Sequence, residues 1–116
     1  MRIDIRGRNT AITEPMRAHV EERFTTRIGK QVSDLAQLDV ELLVERNPSI
    51  AGDKVAEATL RLKGVTLRAR EGSSDLMHSV DLVADKIARQ VKRHRDKRRG
   101  RRDAASKAAS PPPQTP

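Results

Sequence analysis

The spacing of hydrophobic residues switches between two periods along this chain, and that switching constrains its fold more than any other feature. Hydrophobic residues occupy alternate positions in four short segments, 2–8, 38–44, 58–62 and 65–69. Alternation with a period of two places every second side chain on one face of a half-buried strand. The pair Lys63-Gly64 separates the last two segments and suits a tight turn. The sequence therefore predicts four strands, of which the last two form a hairpin.

The segment after the first strand changes to a period near that of an α-helix. Thr13 is of a residue type that commonly caps a helix, and Glu14-Pro15 suits a first helical turn. We therefore predict a helix from about Glu14 to about Gln31, which Gly29 ends early. Its hydrophobic stripe consists of Met16, Val20, Phe24 and Ile28.

The segment after the last strand has the same helical period. Ser74 and Asp75 can cap this second helix. We expect it to extend through Arg95 or to Arg99, with Gly100 as its end. Its hydrophobic stripe consists of Leu76, Val80, Val83, Ile87 and Val91.

The order of the predicted elements is strand, helix, three strands, helix. Because every strand alternates, one face of the sheet packs against the helices and the other faces water. We expect an α+β, two-layer fold with a four-stranded mixed sheet and two helices packed on one face. The first two strands are parallel if the first helix makes a right-handed crossover. Asn47-Pro48 ends the second strand, and a mobile loop is expected over 49–53.

The composition changes at the carboxyl end of the chain. From Arg101 onward Ala, Ser, Pro and Lys dominate, and such a segment cannot bury enough surface to order itself. A length of 116 residues allows one domain and a short appendage. We therefore predict a domain over 1–99 and a disordered, basic and Pro-rich tail or linker over 100–116.

The net charge of +8 lies entirely in the last quarter of the chain. Residues 1–88 carry 14 bases against 14 acids, whereas residues 89–116 carry 10 bases against only Asp96 and Asp103. Positive charge at this local density attracts a polyanion, which favours a nucleic-acid partner. The alternative that stays open here is a solvated tail that only keeps the chain soluble.

Several absences narrow the class of function. The chain has no Cys, Trp or Tyr, and Phe24 is its only aromatic residue. Thiolate chemistry is excluded, and the chain has almost no aromatic rings on which nucleic-acid bases could stack. Contacts with a nucleic acid must then be mainly to phosphate and sugar.

Nothing in the sequence indicates an enzyme or a membrane protein. The three histidines show no metal-ligand spacing, and neither a nucleophile elbow nor a phosphate loop is present. No apolar run approaches the length of a membrane span. We expect a non-catalytic, cytoplasmic protein with no cofactor, no small-molecule substrate and no membrane partner.

The basic residues of the second helix form two bands beside its hydrophobic stripe. Successive residues turn by about 100°, so one band contains Lys86, Arg93 and Lys97 with Arg89 at its edge, and the other contains Lys92, Arg95 and Arg99. Eight Lys or Arg between Arg89 and Arg101 repel one another unless an anion is present. His94 lies near the stripe, where it either packs or stacks on a base. On the first helix Arg23, Arg27 and Lys30 share one side, a weaker signal.

Two segments of the chain resemble a known family. The first is Arg6-Gly7-Arg8-Asn9 followed by Ile12-Thr13-Glu14, and the more specific one runs from Asp85 to Lys97. Both are similar to the ribosome hibernation promoting factor and ribosome-associated inhibitor family, and the similarity covers about residues 1–99. The loop 47–54 and the stretch 29–32 do not match well.

The resemblance implies a β-α-β-β-β-α fold that binds the small ribosomal subunit, in isolation or within whole ribosomes. A protein bound between the head and the body of the small subunit would overlap the positions of messenger RNA and tRNA. It would thereby hold ribosomes inactive in stress or stationary phase. Long members add a C-terminal domain that pairs ribosomes, and we expect none in this sequence. Its tail resembles either that of a short member or the linker of a long member before that domain. The RNA-binding residues that the bands and the resemblance together select are Arg23, Lys86, Arg89, Lys92, Arg93, Arg95 and Lys97.

Two other classes of function stay open on the sequence alone. A generic module for structured RNA or DNA would use the same charges and would bind free duplex as tightly as ribosomal subunits. A structural or partner-binding domain would bind neither, and deleting residues 96–116 would change nothing. An enzyme is the least favoured class.

Overall fold

The computed structural model describes the backbone of residues 1–45 and 52–106 and the side chains of 1–45 and 52–97. Its elements are β1 (Arg2–Arg8), α1 (Glu14–Ile28), β2 (Gln37–Val44), β3 (Lys54–Leu62), β4 (Val65–Ser73) and α2 (Leu76–Ser106). The predicted α+β class and the order of strands and helices are confirmed. Asn47-Pro48, most of the loop expected over 49–53, and residues 107–116 lie outside the described residues.

The four strands form one mixed sheet in the order β1-β2-β3-β4. β1 runs parallel to β2, as predicted, and the other two neighbouring pairs are antiparallel. The β3–β4 hairpin turns at Lys63-Gly64, where Gly64 has a φ of +82°. A side chain with a Cβ rarely adopts this left-handed conformation, so glycine suits the turn.

Both helices pack on one face of the sheet. Val20, Phe24 and Ile28 of α1 are fully buried. In the stripe predicted for α2, Leu76 is only partly buried, whereas the other four residues are buried. The sheet contributes the alternate residues of its strands to the same core. The completely buried side chains with the largest volumes are Phe24, Ile28, Leu38, Leu42, Leu60 and Ile87. The two-layer arrangement with one open sheet face is therefore confirmed.

The first helix begins and ends where the sequence predicts. The Thr13 hydroxyl accepts a hydrogen bond of 3.3 Å from the Met16 backbone N–H, so Thr13 is the N-cap. At the other end the Gly29 N–H donates to the Thr25 carbonyl at 2.9 Å. Each bond satisfies a backbone group that the end of a helix would leave without a partner.

Thr13→Ala removes the capping hydroxyl and is expected to lower the free energy of unfolding by about 1 kcal/mol. Urea denaturation followed by circular dichroism measures this change. Thr13→Ser is the matched control, because it keeps the hydroxyl and is expected to stay close to the wild type. Equal stability of the alanine and serine variants would mean that the bond to Met16 contributes nothing.

The second helix is longer than predicted. Asp75 caps it, since its carboxylate accepts a hydrogen bond of 2.9 Å from the Met77 N–H. The end predicted at Gly100 is wrong, because α2 continues to Ser106. One glycine costs a helix only about 1 kcal/mol relative to alanine, and the neighbouring Arg and Ala residues favour helix. Residues 100–106 of the predicted tail are therefore helical, while the division of the chain at residue 99 stays a prediction.

Candidate nucleic-acid interface

The described bases of α2 lie on both flanks of the hydrophobic stripe, as the helical spacing predicts. Arg93 and Lys97 lie on the flank toward β4, in a depression that Leu67 also lines. Lys92 and Arg95 lie on the flank toward the end of α1. Arg89 lines that flank too, and both Arg89 and Lys92 also line a depression on the outer side of the helix. The two flanks are thus joined into one surface around the exposed side of the helix.

The amino-terminal half of α2 carries acids that neutralise the bases around it. Asp81 contacts two side chains of α1: His19 Nε2 lies 2.8 Å from its Oδ1, and Arg23 Nε lies 2.9 Å from the same oxygen. The Arg23 contact is electrostatic, because its N–H is not aligned for a hydrogen bond. Asp85 forms an ion pair with Arg27. Arg23 and Arg27 of α1 are therefore held against α2 by acids of the same protein.

Lys86 is neutralised in the same way from the sheet. Its Nζ lies 2.5 Å from Glu71 Oε1 on β4. Two of the seven predicted RNA-binding residues, Lys86 and Arg23, thus have an acidic partner within the domain. An exposed pair of this kind stabilises the fold by at most about 1 kcal/mol, so an RNA phosphate can still compete for either base.

The carboxyl-terminal half has the opposite character. Among the side chains described up to residue 97, no acid forms an ion pair with the bases of what we call the basic surface: Arg89, Lys92, Arg93, Arg95 and Lys97. All of them are exposed. Like charges at neighbouring helical positions repel one another, which raises the free energy of this surface until an anion neutralises it.

The basic surface adjoins a cleft of about 400 Å³ between α1 and α2, which we call the basic cleft. Arg27 and Gln31 line it from the α1 side, and Arg89, Lys92 and Arg95 line it from α2. Sequence reasoning noted Arg27 only as a weak signal and did not select Gln31. The spacing of Arg23 and Arg27 shows that they share a side of α1, but only the packing of the two helices shows that this side meets Arg89.

On the open sheet face, Arg70 is one of the bases that have acidic partners. Its guanidinium lies 3.3 Å from Glu45 Oε1 and 3.5 Å from Glu57 Oε2. Arg61 pairs with Asp39. The five bases of the basic surface form no ion pair with a described acid, and they lie together on α2, on the other side of the sheet from these pairs.

Other kinds of site find no support in the described part of the chain. No group of His, Asp and Glu there is placed to hold a metal ion. None of its helices is long and apolar enough to span a membrane. What remains is a convex cationic helix with a shallow cleft beside it, which suits contacts with phosphate and sugar.

Residues 3–99 match the family described as sigma 54 modulation protein / S30EA ribosomal protein. The match covers β1 from its second residue, the other three strands, α1, and α2 as far as residue 99, which includes the basic surface. The chain belongs to this family. Relatives within the S30EA family are named ribosome hibernation factors, and such factors are not enzymes, in agreement with the non-catalytic role predicted from the sequence.

Two curated members of the S30EA family illustrate the range of lengths. The ribosome hibernation promotion factor of Picosynechococcus sp. is 36% identical over 102 residues, which cover 88% of this chain and 53% of that protein. The ribosome hibernation promoting factor of Azotobacter vinelandii is 30% identical over 97% of this chain and 100% of its own length. The chain therefore spans about half of one relative and all of the other.

Solved structures give the same fold. The N-terminal domain of Protein Y from Thermus thermophilus has a TM-score of 0.68 at 30% identity, covering 81% of this chain and 99% of that domain. A ribosomal subunit interface protein from Coxiella burnetii has a TM-score of 0.67 at 19% identity, which supports the fold alone. The β-α-β-β-β-α architecture is thus shared within the S30EA family.

Proposed function

We propose that this protein is a ribosome hibernation factor that binds the small ribosomal subunit, alone and within whole ribosomes. In this proposal it occupies the channel used by messenger RNA and tRNA and blocks translation during stress or stationary phase. A ribosomal partner would place it in the cytoplasm. The observation that carries the proposal is the basic surface, a set of exposed bases that form no ion pair with a described acid, on a member of the S30EA family.

The proposed contacts are between cationic side chains and rRNA phosphates. Arg89, Arg93 and Lys97 can reach one strand, while Lys92 and Arg95 meet phosphates at the basic cleft. Lys86 and Arg23 are proposed as secondary contacts, because each already has an acidic partner. The chain offers almost no aromatic rings for base stacking, so the affinity comes mainly from charge neutralisation.

Inhibition is proposed to be steric. The domain has a well-packed core and its bases lie on rigid helices, so it can fill a channel as a folded body. Messenger RNA and tRNA need the volume in the decoding region that this protein would fill. The protein and these two RNAs therefore exclude one another. This distinguishes the proposal from a generic module for duplex RNA or DNA, whose binding would not depend on what the channel contains.

A displacement experiment tests the channel site. Small subunits and whole ribosomes are prepared vacant or filled with messenger RNA and P-site tRNA, and the protein is added at one fixed salt concentration. We expect co-sedimentation with vacant particles and strongly reduced retention on filled ones. We also expect translation to be inhibited when the protein is added before messenger RNA.

Free duplex RNA of comparable length serves as the control partner. Similar affinity for duplex and for subunits, with equal retention on vacant and filled particles, would leave only a non-specific basic protein. Absence of binding to any of these would favour a structural or partner-binding domain.

A further inference from the structure

A second cleft lies at the end of the domain where three segments meet: the α1–β2 connection, the β3–β4 hairpin and α2. It has a volume of about 590 Å³, and we call it the end groove. Its apolar lining consists of Val32, Leu35, Ala36, Leu62 and Val91. Leu35 is 93% exposed and is the one large hydrophobic side chain that the described residues leave in open solvent. Ala36 and Val91 are almost fully buried and Val32 and Leu62 partly so, so the apolar surface that the groove exposes to water is mainly that of Leu35.

The rim of the end groove is cationic. Lys63, Arg61 and Arg95 line it. Arg61 is paired with Asp39, whereas Lys63 and Arg95 form no ion pair with any acid whose side chain is described. His94 also lines the groove and is only partly buried there. An occupant with a flat apolar part and a negative charge at its edge matches this combination of lining and rim.

The end groove is continuous with the basic cleft. Gln31 and Arg95 line both of them, so they share a border rather than lying on separate faces. A polyanion that lies on the basic surface and enters the basic cleft meets the end groove at Arg95, because this residue lines both clefts. This continuity favours the same nucleic acid as the occupant over a separate acidic protein segment.

We propose that the end groove receives the base of an unpaired nucleotide of the RNA that lies on the basic surface. The inference rests on the proposed function, because it needs RNA on that surface. Unpaired bases stack on histidine rings and on arginine guanidinium planes as well as on aromatic residues. His94 and Arg95 supply such groups in a chain with almost no aromatic side chains, the aliphatic lining encloses the edge of the base, and Lys63 or Arg95 holds its phosphate.

Site-specific crosslinking tests this placement directly. The natural chain has no cysteine, so Leu35→Cys can carry a single benzophenone group at the mouth of the groove. The labelled protein is bound to small subunits, irradiated, and its attachment points are mapped by reverse transcription. We expect crosslinks to rRNA at one or a few unpaired nucleotides. Ala18→Cys, at an exposed position of α1, is the matched control and is expected to give a different pattern.

The same experiment separates the two proposals. If the unlabelled wild type does not sediment with subunits, the proposed function fails and this inference fails with it. If the wild type sediments but the probe at residue 35 reacts only with ribosomal protein, with helical rRNA, or with nothing, the groove does not hold an unpaired base while ribosome binding stands.

Binding to small RNAs gives a second measurement that does not depend on the bulky probe. A hairpin with an unpaired loop is compared with a blunt duplex of equal charge, for the wild type and for Leu35→Ser combined with His94→Ala. We expect the double variant to bind the hairpin about fivefold more weakly and the duplex unchanged. Ala18→Ser is the control, and circular dichroism checks the fold. An equal effect on both RNAs, or no effect on either, would overturn the inference.

Discussion

Reversing Arg89 and Arg93 to Glu together is expected to abolish binding to the small ribosomal subunit while leaving the fold intact. Both side chains are exposed, and neither forms an ion pair with a described acid. A hydrogen bond to a charged group contributes about 1.5–3 kcal/mol, so loss of two such contacts alone weakens binding by about a hundredfold or more. The new carboxylates also repel phosphate. Co-sedimentation with subunits measures the effect.

The matched control for this double variant is Arg2→Glu with Arg68→Glu. It makes the same change in net charge, but both side chains lie on the open sheet face, opposite the helices. Position 68 contacts α2 only through its backbone carbonyl, which accepts a hydrogen bond of 2.7 Å from Gln90 and is kept in the variant. We expect the control to bind almost as well as the wild type. The plot of log affinity against log salt concentration adds a second readout, because losing two phosphate contacts lowers its slope by about two. Unchanged binding by Arg89→Glu/Arg93→Glu with normal circular dichroism would remove these residues from the interface.

Phe24→Ala is expected to cost about 3–5 kcal/mol of stability, which is much of what a domain of this size possesses. Phe24 is fully buried on α1 and belongs to the same core as the strands and α2. Removing the ring leaves a cavity that the rigid backbone of a helix packed on a sheet cannot close. Thermal and urea denaturation measure the change.

The neighbouring residue provides the control for the core variant. Thr25 is exposed on the same helix, and Thr25→Ala is expected to change stability by no more than about 0.5 kcal/mol. If Phe24→Ala kept the melting temperature of the wild type, the core would have to relax around the lost ring far more than its dense packing allows.

Most of the fold could be predicted because each element carries its own period and its own end signals. The alternation around Val40 and Ala58 gave the two central strands, and Thr13 and Gly29 gave the limits of α1. The helix end predicted at Gly100 was wrong because the sequence shows a residue that often ends helices, but not whether neighbouring residues with high helix propensity outweigh it. In this chain the Arg and Ala neighbours do, and α2 continues past it.

The candidate site was less accessible to sequence reasoning. Helical spacing placed Arg89 and Arg93 outside the core, but it could not show which bases have acidic partners. Lys86 and Arg93 lie in the same predicted band, yet Glu71 on β4 neutralises only Lys86. The end groove was beyond prediction as well, because it exists only where the hairpin, the α1–β2 connection and α2 converge.

The makeup of the core has a consequence for chemical durability. Its fully buried side chains are aliphatic, with Phe24 and the small hydroxyl of Ser79 as the exceptions. The chain has no cysteine, and its three methionines, Met1, Met16 and Met77, are only partly buried at the margin of the core. Peroxides attack thiols and thioethers first, and sulfoxide formation disrupts a core that depends on methionine. The fully buried residues contain no sulfur, so oxidants that form sulfoxides act on the methionines at the margin and find no target in the centre of this core.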